Sequence, residues 1–135
     1  MTLTDRQCAH TSRMGLLIVY ANSAGLSVKV SEWNRLLSTQ KEYVAKGVSK
    51  TLDSKHLENL ATDIYIIIGG KAIFCDNDSP AEHKAAYRLL GVYWECRGGR
   101  WGGRFHDAAA WRKKYGREFD PSKDIGWDCY HMESA

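Results

Sequence analysis

The run Asp63-Ile64-Tyr65-Ile66-Ile67-Ile68, followed by Gly69-Gly70 and Lys71-Ala72-Ile73-Phe74, constrains this chain more than any other segment. Isoleucine branches at Cβ, which restricts its rotamers and suits an extended, pleated backbone. Gly-Gly supplies the positive φ values that a tight hairpin turn requires. The segment therefore reads as a β-hairpin whose first strand opens on an ionisable residue, Asp63.

The surrounding pattern supplies the helices that cover it. Thr4 with Gln7 reads as a capping box, and Met14, Leu17, Ile18 and Ala21 recur at helical spacing before a stop at Gly25. Leu26 to Val30 alternates as a half-buried strand. A second helix is expected from about Ser38 to Lys46, ending at Gly47, and residues 47–60 read as an ordered loop. Ser79 as cap and Pro80 at the first position open a third helix, with Gly91 as its stop. Gly98-Gly99 and Gly102-Gly103 flank Trp101 in a segment that reads as loop, and Gly126 to Glu133 as a short strand entered from a turn. Helices interspersed with hairpin strands, without a βαβ rhythm, predict an α+β fold with an antiparallel sheet packed by helices.

At 135 residues and 44% hydrophobic composition, residues 1–135 fit a single domain. Such a domain buries roughly two-thirds of the surface its unfolded chain exposes. The net charge of +3, from 19 basic and 16 acidic residues, is spread along the chain. It forms no basic stripe of the kind nucleic acid requires, although it favours approach to an anionic polymer such as bacterial wall. Cys8, Cys75, Cys96 and Cys129 include no C-x-x-C pair and suggest neither a thiolate zinc knuckle nor a disulfide framework. The first residues lack the features of a signal peptide, and the apolar runs fall short of a membrane span. The expectation is a monomer made in the cytoplasm with reduced cysteines and no stable membrane association. Action on the wall would then require release across the membrane.

Two of the five histidines stand near carboxylates: His56 seven residues before Asp63, and His131 three residues after Asp128. Catalytic zinc takes three protein ligands of this type and leaves one position open. A separate carboxylate then accepts the proton of the attacking water. His56, Asp63, His131 and Asp128 supply such a set. By spacing alone, satisfied surface or core groups without a metal are the commoner reading of the same residues.

The segment Ser54-Lys55-His56-Leu57-Glu58-Asn59-Leu60-Ala61-Thr62-Asp63 resembles the S-x-H-x-x-G-x-A-x-D signature of the D-Ala-D-Ala carboxypeptidase and dipeptidase family of zinc peptidases, which includes phage L-alanyl-D-glutamate endolysins. Asp128-Cys129-Tyr130-His131-Met132-Glu133 resembles its second signature, and the Gly/Trp-rich stretch from Gly98 to Phe105 matches a segment upstream of it. Arg35 with Gln40 resembles an arginine–glutamine context before the first signature. The resemblance runs from about Glu32 to Glu133 and implies a D-Ala-D-Ala peptidase (hedgehog-like) fold. It implies Zn2+ on His56, Asp63 and His131, with Asp128 as general base and Arg35 stabilising the oxyanion. Peptidoglycan is the implied substrate, and the L-Ala–D-Glu bond is favoured in a phage or prophage lysis enzyme. A D-Ala-D-Ala carboxypeptidase or dipeptidase is the alternative, followed by a non-catalytic zinc-stabilised wall-binding or phage structural module. Asn59 stands where the family has glycine, and asparagine enters the left-handed region at low cost.

Ser54, Gln40, Trp101, His106 and Glu133 are candidates for supporting the ligands or lining a substrate groove. Trp94, Phe105 and Trp111 are equally candidates for groove or core. His10 and His83 are expected on helices facing solvent. Cys129 is expected as a small buried residue on the last strand.

Overall fold

The computed structural model describes residues 1–33, 37–47 and 55–135. In chain order its elements are α1 (Leu3–Ser23), β1 (Ser27–Glu32), α2 (Leu37–Ala45), β2 (Ala61–Ile68), β3 (Lys71–Ala72), α3 (Ala81–Glu95), β4 (Gly99–Trp101), α4 (Ala108–Tyr115) and β5 (His131–Ser134). The sheet order is β1-β2-β5-β4, with β3 paired to β2, and every pairing is antiparallel. This is the α+β architecture that the sequence predicts. Among the described residues no helix is long and apolar enough to cross a membrane.

The hairpin forms at Gly69-Gly70, both at positive φ (58° and 77°). Its second strand is shorter than the sequence suggests, because the chain leaves the ladder after Ala72. The Tyr87 hydroxyl then takes over. It donates to the Ile73 carbonyl at 2.6 Å and accepts from the Ile66 amide at 3.0 Å, so a side chain bridges the one missing bond of that pair, while the Ile73 amide still donates to the Ile66 carbonyl at 2.8 Å.

Strand alternation divides β2 between two faces. Thr62, Ile64 and Ile66 are buried, with Ile64 and Ile66 in one apolar cluster with Met14, Leu17 and Ala21 of α1 and Tyr87, Leu90 and Trp94 of α3. Asp63 and Tyr65 fall on the opposite face and are half-buried. The two helices thus cover one side of the sheet and leave the other side to the site.

Several boundaries differ from the sequence reading for physical reasons. α1 is capped by Thr2 with Asp5, not by Thr4 with Gln7, because the Asp5 carboxylate reaches back to the Thr2 amide at 2.9 Å. α3 begins one residue after Pro80 and runs through Gly91 to Glu95. Gly91 is a packing residue and not a stop, since a Cβ there would lie 2.0 Å from the Trp101 ring. Gly99 to Trp101 form a strand on β5, not a loop, and α4, capped by Asp107, had no counterpart in the sequence reading. β5 starts only at His131, so Cys129 sits in the preceding turn, buried as expected, and its thiol donates to the Cys75 carbonyl at 3.1 Å.

His10 is not solvated as predicted but fully buried. Its ring nitrogens pair with Ser134 Oγ at 2.7 Å and Thr62 Oγ1 at 2.9 Å, and Trp33 and Trp94 meet it edge-on. Burial, followed by the fields of Arg13, His56 and His131, lowers its pKa to about 4. Between pH 6.5 and 4 the unfolded chain takes a proton here that the folded chain refuses, so stability falls as pH falls. Denaturant titrations with chelator present should show a loss on the order of 3 kcal/mol across that window. His10→Gln should flatten this acid limb; an unchanged slope would assign it to other groups.

Candidate metal centre

The site is assembled where β1, β2 and β5 meet. Asp63 lies opposite Glu32 on β1 and opposite His131 on β5. Directly opposed residues of an antiparallel pair share a face. Register therefore brings Asp63 and His131 together across 68 residues of sequence.

His56 arrives by a different route. Lys55–Glu58 form a single 3₁₀ turn, which Asn59 closes in the left-handed conformation at φ 59°. The Leu60 amide donates to the Lys55 carbonyl at 2.9 Å, and the Leu60 carbonyl accepts from the Ser134 amide at 2.8 Å. This reversal folds His56 back over the start of β2. Asparagine enters this left-handed conformation at low cost, at the position where the resemblance expects glycine.

The result is a compact donor cluster. Asp63 Oδ1 lies 3.3 Å from His56 Nε2 and 3.4 Å from His131 Nδ1. The two imidazole rings meet edge-on with centroids 5.1 Å apart. One atom from each of the three residues falls within 4.8 Å of the others. Asp63 Oδ1 is buried, yet among the described residues no donor addresses it in hydrogen-bonding alignment. A buried carboxylate oxygen between two imidazole nitrogens at ion-pair distance is a place that suits a cation.

The electrostatics agree. Burial would raise the Asp63 carboxyl, but the adjacent His131 and His56 outweigh it and hold the group well below the usual carboxylate range. Burial would lower His131, but Asp63, Glu133 and the field of Asp128 prevail and raise it to about 9. The cluster thus draws positive charge inward. Two imidazole nitrogens and one carboxylate oxygen also form a donor set suited to zinc, with a further coordination position left over.

His131 is oriented from behind. Its Nε2 lies 2.9 Å from Glu133 Oε1, while Glu133 Oε2 accepts from Arg100 at 3.2 Å. A carboxylate on one ring nitrogen fixes the tautomer and leaves the other nitrogen to act as ligand. Glu133 is positioned by the alternation of β5, two residues beyond His131 on the same face, as the sequence suggests. Arg100 was not singled out in the sequence, because its link to Glu133 exists only through the β4–β5 pairing.

Asp128 stands at the mouth of the cluster. Its Oδ2 lies 3.7 Å from His131 Nδ1, and its side chain is 36% exposed. The turn that carries it is clamped on both sides. The Asp128 carbonyl accepts from the His131 amide at 3.1 Å, and the Asp128 amide donates to the Gly102 carbonyl at 3.3 Å. Gly102 must be glycine for that approach, because a Cβ there would lie 2.0 Å from the Asp128 carbonyl oxygen. Trp101 Nε1 donates to the Cys129 carbonyl and Trp94 Nε1 to the Glu133 carbonyl, each at 2.8 Å.

The remaining candidates are placed elsewhere. Trp101 is a core residue with 1% exposure and lines no groove; Trp94 is likewise core. His106 stacks on Phe119 at 4.1 Å, and its Nδ1 pairs with the Arg104 carbonyl, away from the donor cluster. Gln40 is fully buried on α2, with no open surface for a substrate. Arg35 and Ser54 lie outside the described residues. Phe105 reaches the site, its ring 5.8 Å from that of His131.

No family model matches the sequence, and no curated protein does either. Solved structures match the fold. The chain is similar to the Serratia marcescens L-Ala D-Glu endopeptidase ChiX, with a TM-score of 0.60 and 20% identity over 94% of this chain and 78% of that one. It is also similar to the LD-carboxypeptidase LdcB, with a TM-score of 0.56 and 14% identity over 93% of this chain and 56% of LdcB. At these identities the likeness establishes the fold, which is the one the resemblance implied.

Proposed function

We propose that this chain is a zinc-dependent peptidoglycan peptidase that hydrolyses an amide bond of the stem peptide, with the L-Ala–D-Glu bond favoured. The observation that carries this reading is the buried His56–Asp63–His131 donor cluster with Asp128 at its mouth. The fold, shared with an L-Ala D-Glu endopeptidase and an LD-carboxypeptidase, supports the substrate class.

His56 Nε2, Asp63 Oδ1 and His131 Nδ1 would hold the ion. When bound, zinc supplies a Lewis acid that polarises the scissile carbonyl and lowers the pKa of water. The chain's own groups do the rest. Asp128, partly exposed at the mouth of the cluster, takes the proton from the attacking water and passes it to the leaving amine. Glu133 keeps the His131 ring in the ligand tautomer. Arg35 is assigned to the developing oxyanion. A purely structural ion has no use for a carboxylate at the mouth of its site, and this favours catalysis over a wall-binding module. In the phage or prophage lysis reading, the protein is made in the host cytoplasm and meets the wall after release across the membrane.

The test is digestion of purified Gram-negative peptidoglycan, with products identified by mass spectrometry. Peptides beginning with D-Glu are expected, their release stopped by a zinc chelator and restored by zinc. Loss of terminal D-Ala alone would move the assignment to carboxypeptidase. No release by folded, zinc-loaded protein would overturn the hydrolase reading for this wall type.

A further inference from the structure

We infer that Tyr65, Phe74 and Tyr130 form a sugar subsite that seats the amino-sugar ring to which the stem peptide is attached. The inference rests on the peptidase reading and specifies its substrate. Alternation along β2 puts Tyr65 on the face of Asp63, two residues further on and roughly 7 Å away along the strand. The Tyr65 ring lies against Tyr130 at 4.5 Å and meets Phe74 edge-on at 5.4 Å, while Phe74 and Tyr130 are 6.0 Å apart.

The base of this platform is fixed. The Tyr130 hydroxyl accepts from the Cys75 amide at 2.8 Å and donates to the Cys75 carbonyl at 3.2 Å. Its ring also packs edge-on against buried Tyr87 at 5.4 Å. The top is open, since Phe74 is 71% exposed. A phenylalanine that gives so little area to the core, yet packs on Tyr65 and Tyr130, leaves an apolar surface exposed beside a strand residue two positions from Asp63.

The chemistry of the wall polymer selects the occupant. The first stem residues, alanine and glutamate, offer no ring or large apolar side chain to cover three aromatic rings. A pyranose offers a flat face of C–H bonds with hydroxyl and acetamido groups at its edge, and aromatic rings take such a face well. Length agrees too. From the carbonyl of the first stem residue back to the sugar, the path crosses that residue and one lactyl linker. That is two extended spans, roughly 7 Å, which matches the step from Asp63 to Tyr65. A bond at the far end of the peptide lies roughly 13 Å or more from the sugar and would leave the platform unused.

The test compares a stem peptide carrying its disaccharide with the same peptide stripped of sugar by an amidase. Native protein should favour the sugar-bearing form in kcat/KM by about tenfold, mostly through KM. Phe74→Ala, a change at an exposed side chain, should bring the ratio near one, whereas Phe74→Trp should keep it. A ratio equal in native protein and Phe74→Ala would overturn the subsite. Binding of the peptide-free N-acetylglucosaminyl–N-acetylmuramic acid disaccharide, followed by NMR of the tyrosine ring protons, reads the subsite without hydrolysis. Shifts in native protein that weaken in Phe74→Ala support it, and no shifts overturn it. Sugar binding without any cleavage would sustain the subsite and overturn the peptidase reading.

Discussion

Asp128→Asn is expected to abolish peptidoglycan hydrolysis, by about 10²–10⁴-fold in kcat/KM, while the protein still folds and binds zinc. The asparagine keeps the size and polarity of the side chain but accepts no proton. The backbone clamp on this turn, made by the Gly102 carbonyl and the His131 amide, is untouched by the change. Asp128 is no member of the three-residue donor cluster, so zinc affinity should fall by no more than the roughly 10–100-fold seen for groups around a metal's ligands. The paired measurement is release of muropeptides beside zinc affinity by competition with a chromophoric chelator. Activity within a factor of a few would remove Asp128 from the base role. Zinc loss beyond that range would make it a ligand.

His56→Ala is expected to lose zinc and hydrolysis together. His56 supplies one of three donor atoms and is 2% exposed, so its removal both opens the cluster and leaves a cavity. For the native protein, zinc at 100 times its Kd should add about 2.7 kcal/mol of stability, read as a rise in Tm that chelator reverses. His56→Ala should show no such rise. Because a cavity also weakens the fold, Asp63→Asn provides a control of nearly constant volume. It should fold, lose the zinc-dependent rise in Tm and lose activity. A rise in Tm equal to that of the native protein in both variants would refute this donor set. The raised pKa of His131, about 9, adds a sign to the pH dependence. Below that pH a proton competes for Nδ1, so zinc affinity should climb about tenfold per pH unit from 6 to 8 while one proton is displaced.

Elements with local causes can be read from the residues alone. The isoleucine run with Gly69-Gly70 specifies a hairpin regardless of its surroundings, and Asn59 tolerates the left-handed backbone that the turn after His56 adopts. Spacing and resemblance also marked out His56 with Asp63, and Asp128 with His131 and Glu133, because each group sits within a few residues on one short segment. Tertiary structure alone decided what depends on distant partners. The burial of His10 follows from Thr62 and Ser134 on two strands remote in sequence. Trp101 is core because Gly91, ten residues earlier on a helix, leaves room for its ring. The strand at Gly99–Trp101 exists because β5 supplies its hydrogen bonds, and the aromatic platform joins β2, the segment after β3 and the turn before β5. Local propensity is written in neighbouring residues, whereas burial and pairing are set by surfaces that meet only after the chain has folded.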